Sequence, residues 1–307
     1  MLIAARFRAL IIGALVLPMA VGLGACSALR LGYSNGPQLA WWWLDGYIDF
    51  SRDQSPRARQ ALDRWFDWHR SSQLPAYATL LSQVQVQVQA MEPLTADIAC
   101  RWLARGMQAL DPAIRRAADD FADFVPGLGE PQFKQLEQRH AKNNDTLRED
   151  YLQPSPPERQ AAAFKRTLER AEGVYGDLNE AQRRLLAAGL AASPFNPDLW
   201  LQERLRRQRD TMQTLRKLVA DKVGRDDRAL ALRALAKRSQ ESADPSYREY
   251  QRRLTEFNCG LAAQLHNTTT ATQRQRARST FKGWEEDLRW LIANPASGVS
   301  LSGAPPQ

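Results

Sequence analysis

Apolar side chains recur at helical spacing along nearly the whole chain, and most runs open on a capping residue or a proline. Tyr77, Leu80, Leu81, Val84, Val88 and Met91 form one such stripe, the pattern of a helix with one buried face. Inside it, Val84-Gln85-Val86-Gln87-Val88 alternates as a strand does. The stripe is the longer of the two signals, and a lone strand has no partner in this chain, so the segment reads as helix. Ser55-Pro56 opens a helix carrying Ala61, Leu62, Trp65, Phe66 and His69, with proline in the first turn, where its missing N–H costs nothing. Thr95 caps a helix with Ile98, Trp102, Leu103 and Leu110, and Asp111-Pro112 is read as the start of a separate one. Ser155 with Glu158, and Asn179 with Gln182, have capping-box spacing. The expectation is an all-α fold, an elongated multi-helix bundle of roughly ten helices over residues 41–293. The loop Ser193-Pro194-Phe195-Asn196-Pro197-Asp198 is the candidate joint between two sub-bundles. No fixed repeat of solenoid type emerges.

The first residues address the chain rather than build its core. Arg6 and Arg8 precede an uncharged run whose small residues Gly22, Gly24 and Ala25 lead to Cys26, the layout of a secretory signal. Leu23-Gly24-Ala25-Cys26 resembles the lipobox of bacterial lipoproteins. That resemblance implies loss of residues 1–25, lipidation of Cys26 (palmitate among its acyl chains) and a membrane anchor. Ser27, in place of the aspartate that retains such proteins at the inner membrane, implies the periplasmic face of the outer membrane. A plain cleaved signal or an uncleaved span are the alternatives, the latter opposed by Pro18 and the glycines. Residues 26–40, with Gly32, Asn35, Gly36 and Pro37, read as a tether, and residues 294–307 as a disordered tail.

Net charge is +8, with 44% apolar and 25% charged residues. Arg6 and Arg8 supply two of those charges, and the remaining surplus is small for a nucleic-acid binder. Nucleic acid is therefore not an expected partner. Cys100 and Cys259 form an even pair on the body, and an oxidising compartment favours one disulfide between them over two buried thiols. No CxxC pairing gives them a redox role.

Trp41-Trp42-Trp43 opens the densest aromatic stretch. Three successive rings cannot all face one core, so at least one reaches a surface, against headgroups or a partner. The bland alternative is that the segment packs beneath the body. Leu31-Gly32-Tyr33-Ser34-Asn35 and Trp42-Trp43-Leu44-Asp45-Gly46-Tyr47-Ile48-Asp49-Phe50, directly after a lipobox, resemble an uncharacterised family of proteobacterial lipoproteins. Residues 166–182, Asn258-Cys259, His266, Gln273-Arg274 and Trp284 continue the likeness. It implies a helical fold and an envelope location, with no activity or site residues. Leu178-Asn179-Glu180-Ala181-Gln182 resembles the LTxxQ box of Spy-like periplasmic chaperones, and Leu128-Gly129-Glu130-Pro131-Gln132 is a poorer match.

His69, His140 and His266 are far apart and lack metal-ligand spacing, and no nucleophile elbow, P-loop or dinucleotide fingerprint occurs. No metal and no cofactor are expected. Arg204, Arg206, Arg207 and Arg209 share a helix with the apolar Leu201, Leu205 and Met212. They read either as a cationic strip for phosphate or carboxylate groups or as a solvated face balanced by Glu203 and Asp210. Arg274, Arg276, Arg278 and Lys282 form a second strip of the same kind. The candidate binding residues are Trp41, Trp42, Trp43, Arg204 and Arg207. The expectation is a non-enzymatic binding or structural lipoprotein, its partners being the membrane and an envelope protein or anionic envelope component. The alternatives are a chaperone-like holdase and an envelope enzyme with a site assembled from distant residues.

Overall fold

The computed structural model describes residues 28–295. Cys26 with its lipobox, and residues 296–307 of the tail, lie outside the described residues.

Twelve α-helices and one short 3-10 turn make up the described chain, with no strand among them. They are α1 Ala28–Ser34, α2 Gly36–Ile48, α3 Gln54–Ser72, α4 Leu74–Gln87, α5 Ala96–Phe121 and α6 Glu130–Tyr151. There follow α7 Pro156–Tyr175, α8 Glu180–Ala191, α9 Pro197–Asp221, α10 Arg225–Gln240, α11 Pro245–Asn267 and α12 Ala271–Ala293. The Val-Gln alternation is helical, as its longer stripe predicts. Four apolar clusters form the core. One joins the end of α2 to the 3-10 turn, α6, α9 and α10 through Ile48, Val125, Phe133, Leu215 and Leu232. Another seats Leu74 and Ala78 of α4 on Leu288 and Leu291 of α12.

Two expectations fail for physical reasons. Residues 28–40 are helical rather than a tether: Leu29 and Tyr33 pack on the α4–α12 cluster, and Arg30 Nε donates to Asp287 Oδ1 at 2.6 Å. Pro37 is a helix-start signal, lying in the first turn of α2. Pro112 likewise does not begin a new helix but lies inside α5. A mid-helix proline costs about 3 kcal/mol. Packing of α5 against α3, α4, α10 and α11 offsets that cost, and Trp65 Nε1 donates to the Ala113 carbonyl beside the break at 3.3 Å.

An internal two-fold relation emerges from the caps. At the start of α8, Gln182 N donates to Asn179 Oδ1 and Asn179 N to Gln182 Oε1, and Thr270 and Gln273 do the same at the start of α12. The two glutamines then face each other. Gln182 Nε2 donates to Gln273 Oε1 at 2.8 Å and Gln273 Nε2 to Gln182 Oε1 at 2.9 Å. Each amide also reaches across to the carbonyl two residues before the opposite cap, Gln182 to Thr268 and Gln273 to Asp177. The same knot recurs between the starts of α3 and α6. Ser51 N donates to Gln54 Oε1 and Gly129 N to Gln132 Oε1, while Gln132 Nε2 donates to Gln54 Oε1 at 2.9 Å. Again the amides cross to the opposite carbonyls, Gly127 two residues before Gly129 and Asp49 two residues before Ser51. The packing agrees: α2 lies on α3 and α6, and α7 lies on α8 and α12. The helices α2 and α7 both end on a residue of positive φ, Asp49 (φ 56) and Gly176 (φ 76), though only Asp49 is in the left-handed helical conformation.

Candidate functional site

Each half of this relation encloses a cleft at the same place. The first, of about 670 Å³, lies between α2, α3 and α5, with α9 and α10 closing its far wall. The second, of about 580 Å³, lies between α7, α8 and α11. On three of their walls a set of positions corresponds, whereas the α9 and α10 wall of the first has no counterpart in the second. Tyr47 and Val174 lie two residues before the positive-φ Asp49 and Gly176, Leu44 and Ala171 five, Trp43 and Arg170 six, and Ala40 and Thr167 nine. On α3 and α8, Ala58 and Leu186 follow Ser51 and Asn179, the residues bonded to Gln54 and Gln182, by seven residues, and Leu62 and Leu190 by eleven. Past the end of α5 and on α11, Phe124 and Leu265 precede the caps Gly129 and Thr270 by five, and Phe121 of α5 and Ala262 of α11 precede them by eight. Both volumes are in the range of small-molecule sites, which span roughly 300–1,000 Å³.

The first cleft is almost wholly apolar. Trp43, Trp65, Phe66 and Phe121 line it, with Asp120 its one carboxylate, and Arg116 Nε holds that group at 3.2 Å. The hydroxyls of Thr211 and Ser239 are turned to the Arg207 and Leu235 carbonyls of their own helices. Neither histidine nor cysteine lines either cleft. The arrangement can desolvate an apolar molecule and offers no converging polar groups to hold one by hydrogen bonds.

The tryptophans separate into distinct roles. Trp41 is buried, stacked on Phe50 at 5.6 Å, and the Arg59 guanidinium lies 4.2 Å from its ring centroid. Trp42 is 61% exposed, and Trp43, 38% exposed, stands at the first cleft. Trp41 therefore serves the core and is corrected as a surface-binding residue. The segment both packs and presents a ring, because consecutive helix positions point about 100° apart.

Of the two readings of the arginine strip, the pairing agrees with the face balanced by Glu203 and Asp210 and not with a free cationic strip. Arg206 and Arg207 both turn onto Glu203, at 2.7 Å each, and Arg204 Nε donates to Asn144 Oδ1 at 2.8 Å. Glu203 is buried. Burial pushes its pKa up, but hydrogen bonds from Arg206, Arg207 and Ser242 outweigh that and hold it at about 2. Arg204 thus ties α9 to α6, and Arg207 is paired within its own helix, so neither is a free cation. In the second strip, Arg274 donates to the Ala90 carbonyl and Lys282 pairs with Glu286.

The histidines are core groups. His69 stacks on Trp65 at 4.6 Å, its Nδ1 2.8 Å from Tyr33 Oη, and burial holds its pKa at about 4. His266 Nδ1 pairs with Tyr175 Oη at 3.0 Å, and burial, then Arg274, lowers its pKa. His140 is lowered to about 4 by burial and by Arg204. Cys100 and Cys259 are bonded, joining α5 to α11 with Cα atoms 5.4 Å apart. Among the described residues no group of three or more His, Cys, Asp or Glu converges as a metal site, and no helix is long and apolar enough to cross a membrane.

A family model described as a family of unknown function, DUF6279, matches residues 46–248. The chain belongs to that family. No curated protein and no solved structure matches it. The DUF6279 match takes in the left-handed Asp49, Ser51, the caps Gly129 and Asn179 and most of the first cleft. It begins just after the tryptophans and ends at the start of α11, before Thr270 and Gln273. The residues that sequence reading missed are Gln54, Gln273 and the two cleft walls. Their signal was a shared one, Ser, Gly, Asn or Thr followed three residues later by glutamine in Ser51-Gln54, Gly129-Gln132, Asn179-Gln182 and Thr270-Gln273.

Proposed function

We propose that this DUF6279 member is an outer-membrane-anchored lipoprotein facing the periplasm, whose body is a non-enzymatic binding protein for apolar molecules. The first cleft carries this reading. It is large enough for a ligand and lined by aromatic and aliphatic side chains of α2, α3, α5, α9 and α10. Burying a ligand's apolar area there is worth roughly 25 cal/mol per Å². The anchor rests on the lipobox likeness of residues 23–26. The start of α1 two residues after Cys26 keeps α2, and with it Trp43, close to the anchored end. By helix rise, the path from Cys26 to Trp43 is at most about 30 Å.

A photo-crosslinker at position 43 in cells, combined with palmitate labelling and membrane fractionation, tests the reading. Label in the outer-membrane fraction that disappears in Cys26→Ser, with adducts of small apolar mass at position 43, is the expected result. Unlabelled, soluble protein would remove the anchor. Absence of any adduct at position 43 would remove the binding role.

A second reading is favoured by one observation. The two LTxxQ-like boxes, residues 128–132 and 178–182, each open a helix and each pair their glutamine with a second one, Gln54 and Gln273, a likeness that favours a chaperone-like holdase as the alternative. Crosslinks from position 43 to many unrelated unfolded proteins, together with suppression of client aggregation, would move the assignment there.

A further inference from the structure

The second cleft differs from the first where the two-fold relation makes comparison direct. At the position of Trp43 stands Arg170, and Arg166 and Arg159 lie on the same wall of α7. The floor is apolar: Ala171, Leu190, Leu254 and Leu261 line it, and no acidic side chain does.

These three guanidiniums are not neutralised. Nineteen ion pairs join cations to carboxylates elsewhere in the described chain, and none involves Arg159, Arg166 or Arg170. Arg159 Nη1 donates to the carbonyls of Gln153, at 2.6 Å, and Pro154. Arg166 Nη1 donates to the Asp150 carbonyl at 2.8 Å while its guanidinium lies 4.2 Å over the Tyr151 ring. Backbone carbonyls and a ring face orient a guanidinium without cancelling its charge. Arg170 is exposed at the cleft. An apolar floor beneath three cations, two of them held in place and Arg170 exposed, with no competing carboxylate, is complementary to a molecule that has a hydrocarbon chain and an anionic end.

We propose that the second cleft binds a single-chain anionic amphiphile of the fatty-acid type, its chain on the α8 and α11 floor and its carboxylate on Arg166 and Arg170, with Arg159 adding charge at the far end. Guanidinium suits this task because its planar fork donates two N–H bonds to a carboxylate, which accepts them bidentately. The site is separate from the first cleft and would stand if that cleft proved empty in cells.

The test is a titration of the mature protein, anchor cysteine replaced, with palmitate and with hexadecanol, followed by calorimetry. A neutral fluorescent probe reports the first cleft in parallel. Palmitate is expected to bind saturably and at least tenfold more tightly than the alcohol, with affinity falling as salt rises. Arg170→Gln, which removes no contact within the fold, should lower palmitate affinity at least tenfold and leave the alcohol unchanged. Arg170→Trp, which installs the residue of the first cleft, should abolish the preference for the acid. Equal affinity for acid and alcohol, or indifference to both substitutions, would overturn the proposal. Association only with anionic phospholipid vesicles would overturn it too, by making the arginines a bilayer contact. Absence of palmitate binding while the neutral probe still binds would overturn it and leave the first cleft's assignment intact.

Discussion

At the scale of single residues, the polar groups inside this bundle are held in one charge state. His69 and His140 have folded pKa values of about 4, lowered by burial, against about 6.5 unfolded. For a base lowered by folding, the unfolded chain takes up protons first. The contribution is therefore complete above pH 6.5 and is lost as pH falls from 6.5 to about 4, at up to about 1.4 kcal/mol per pH unit for each histidine. Urea unfolding followed across pH 7 to 4.5 should show this decline, and His69→Gln should make it shallower by about the slope of one proton. Equal slopes in the two proteins would mean that His69 titrates normally. Glu203 acts in a lower window. Its pKa of about 2 adds stability that is present above the ordinary glutamate value and lost below it. Glu203→Gln should cost about 2–3 kcal/mol at neutral pH. That is less than a fully buried pair, because Arg206 and Arg207 remain 25% and 30% exposed and can turn to water. A change under 0.5 kcal/mol in the urea midpoint energy would contradict the role given to this carboxylate.

Among elements, the local signals were legible and the pairings were not. Ser155, Asn179 and Thr95 cap helices where their spacing predicts, because a cap is an interaction across three residues. The glutamine knots join residues 78 and 91 positions apart. Their first residue changes among Ser, Gly, Asn and Thr, and the glutamine three places on, the one shared sign, does not say which pairs meet. Pro112 and residues 28–40 misled for a related reason: helix propensity is local, whereas burial against α12 or α11 is not. The knot between α8 and α12 should be the stronger of the two, since Gln182 and Gln273 are buried. Gln182→Leu should cost about 1–3 kcal/mol by stranding the Thr268 carbonyl and the facing amide. The Gln182→Leu, Gln273→Leu double variant should cost less than the sum of the single changes, a coupling that a double-mutant cycle measures. Strict additivity would show that the amides do not act as a pair.

In the whole molecule, two related halves each leave a cleft open, and what distinguishes them is one wall of residues. The helical class and its register could be read from periodicity. The clefts could not, because Trp43, Leu62, Phe121 and Leu232 come from four helices that only tertiary packing assembles. The two candidate faces read from composition, tryptophans and arginines, were partly consumed by the fold, Trp41 in the core and Arg207 on Glu203. What they left, Trp43 at one cleft and the arginines of α7 at the other, is where ligand chemistry is expected. The central claim is that the first cleft binds an apolar molecule, and cleft filling tests it most directly. Titration of a neutral hydrophobic fluorophore into the wild-type body and into Ala118→Phe, which places a ring inside the cleft, should give one saturable site that weakens at least tenfold in the variant, with both proteins equally folded by circular dichroism. Identical binding by the two, or no saturable site in either, would contradict it.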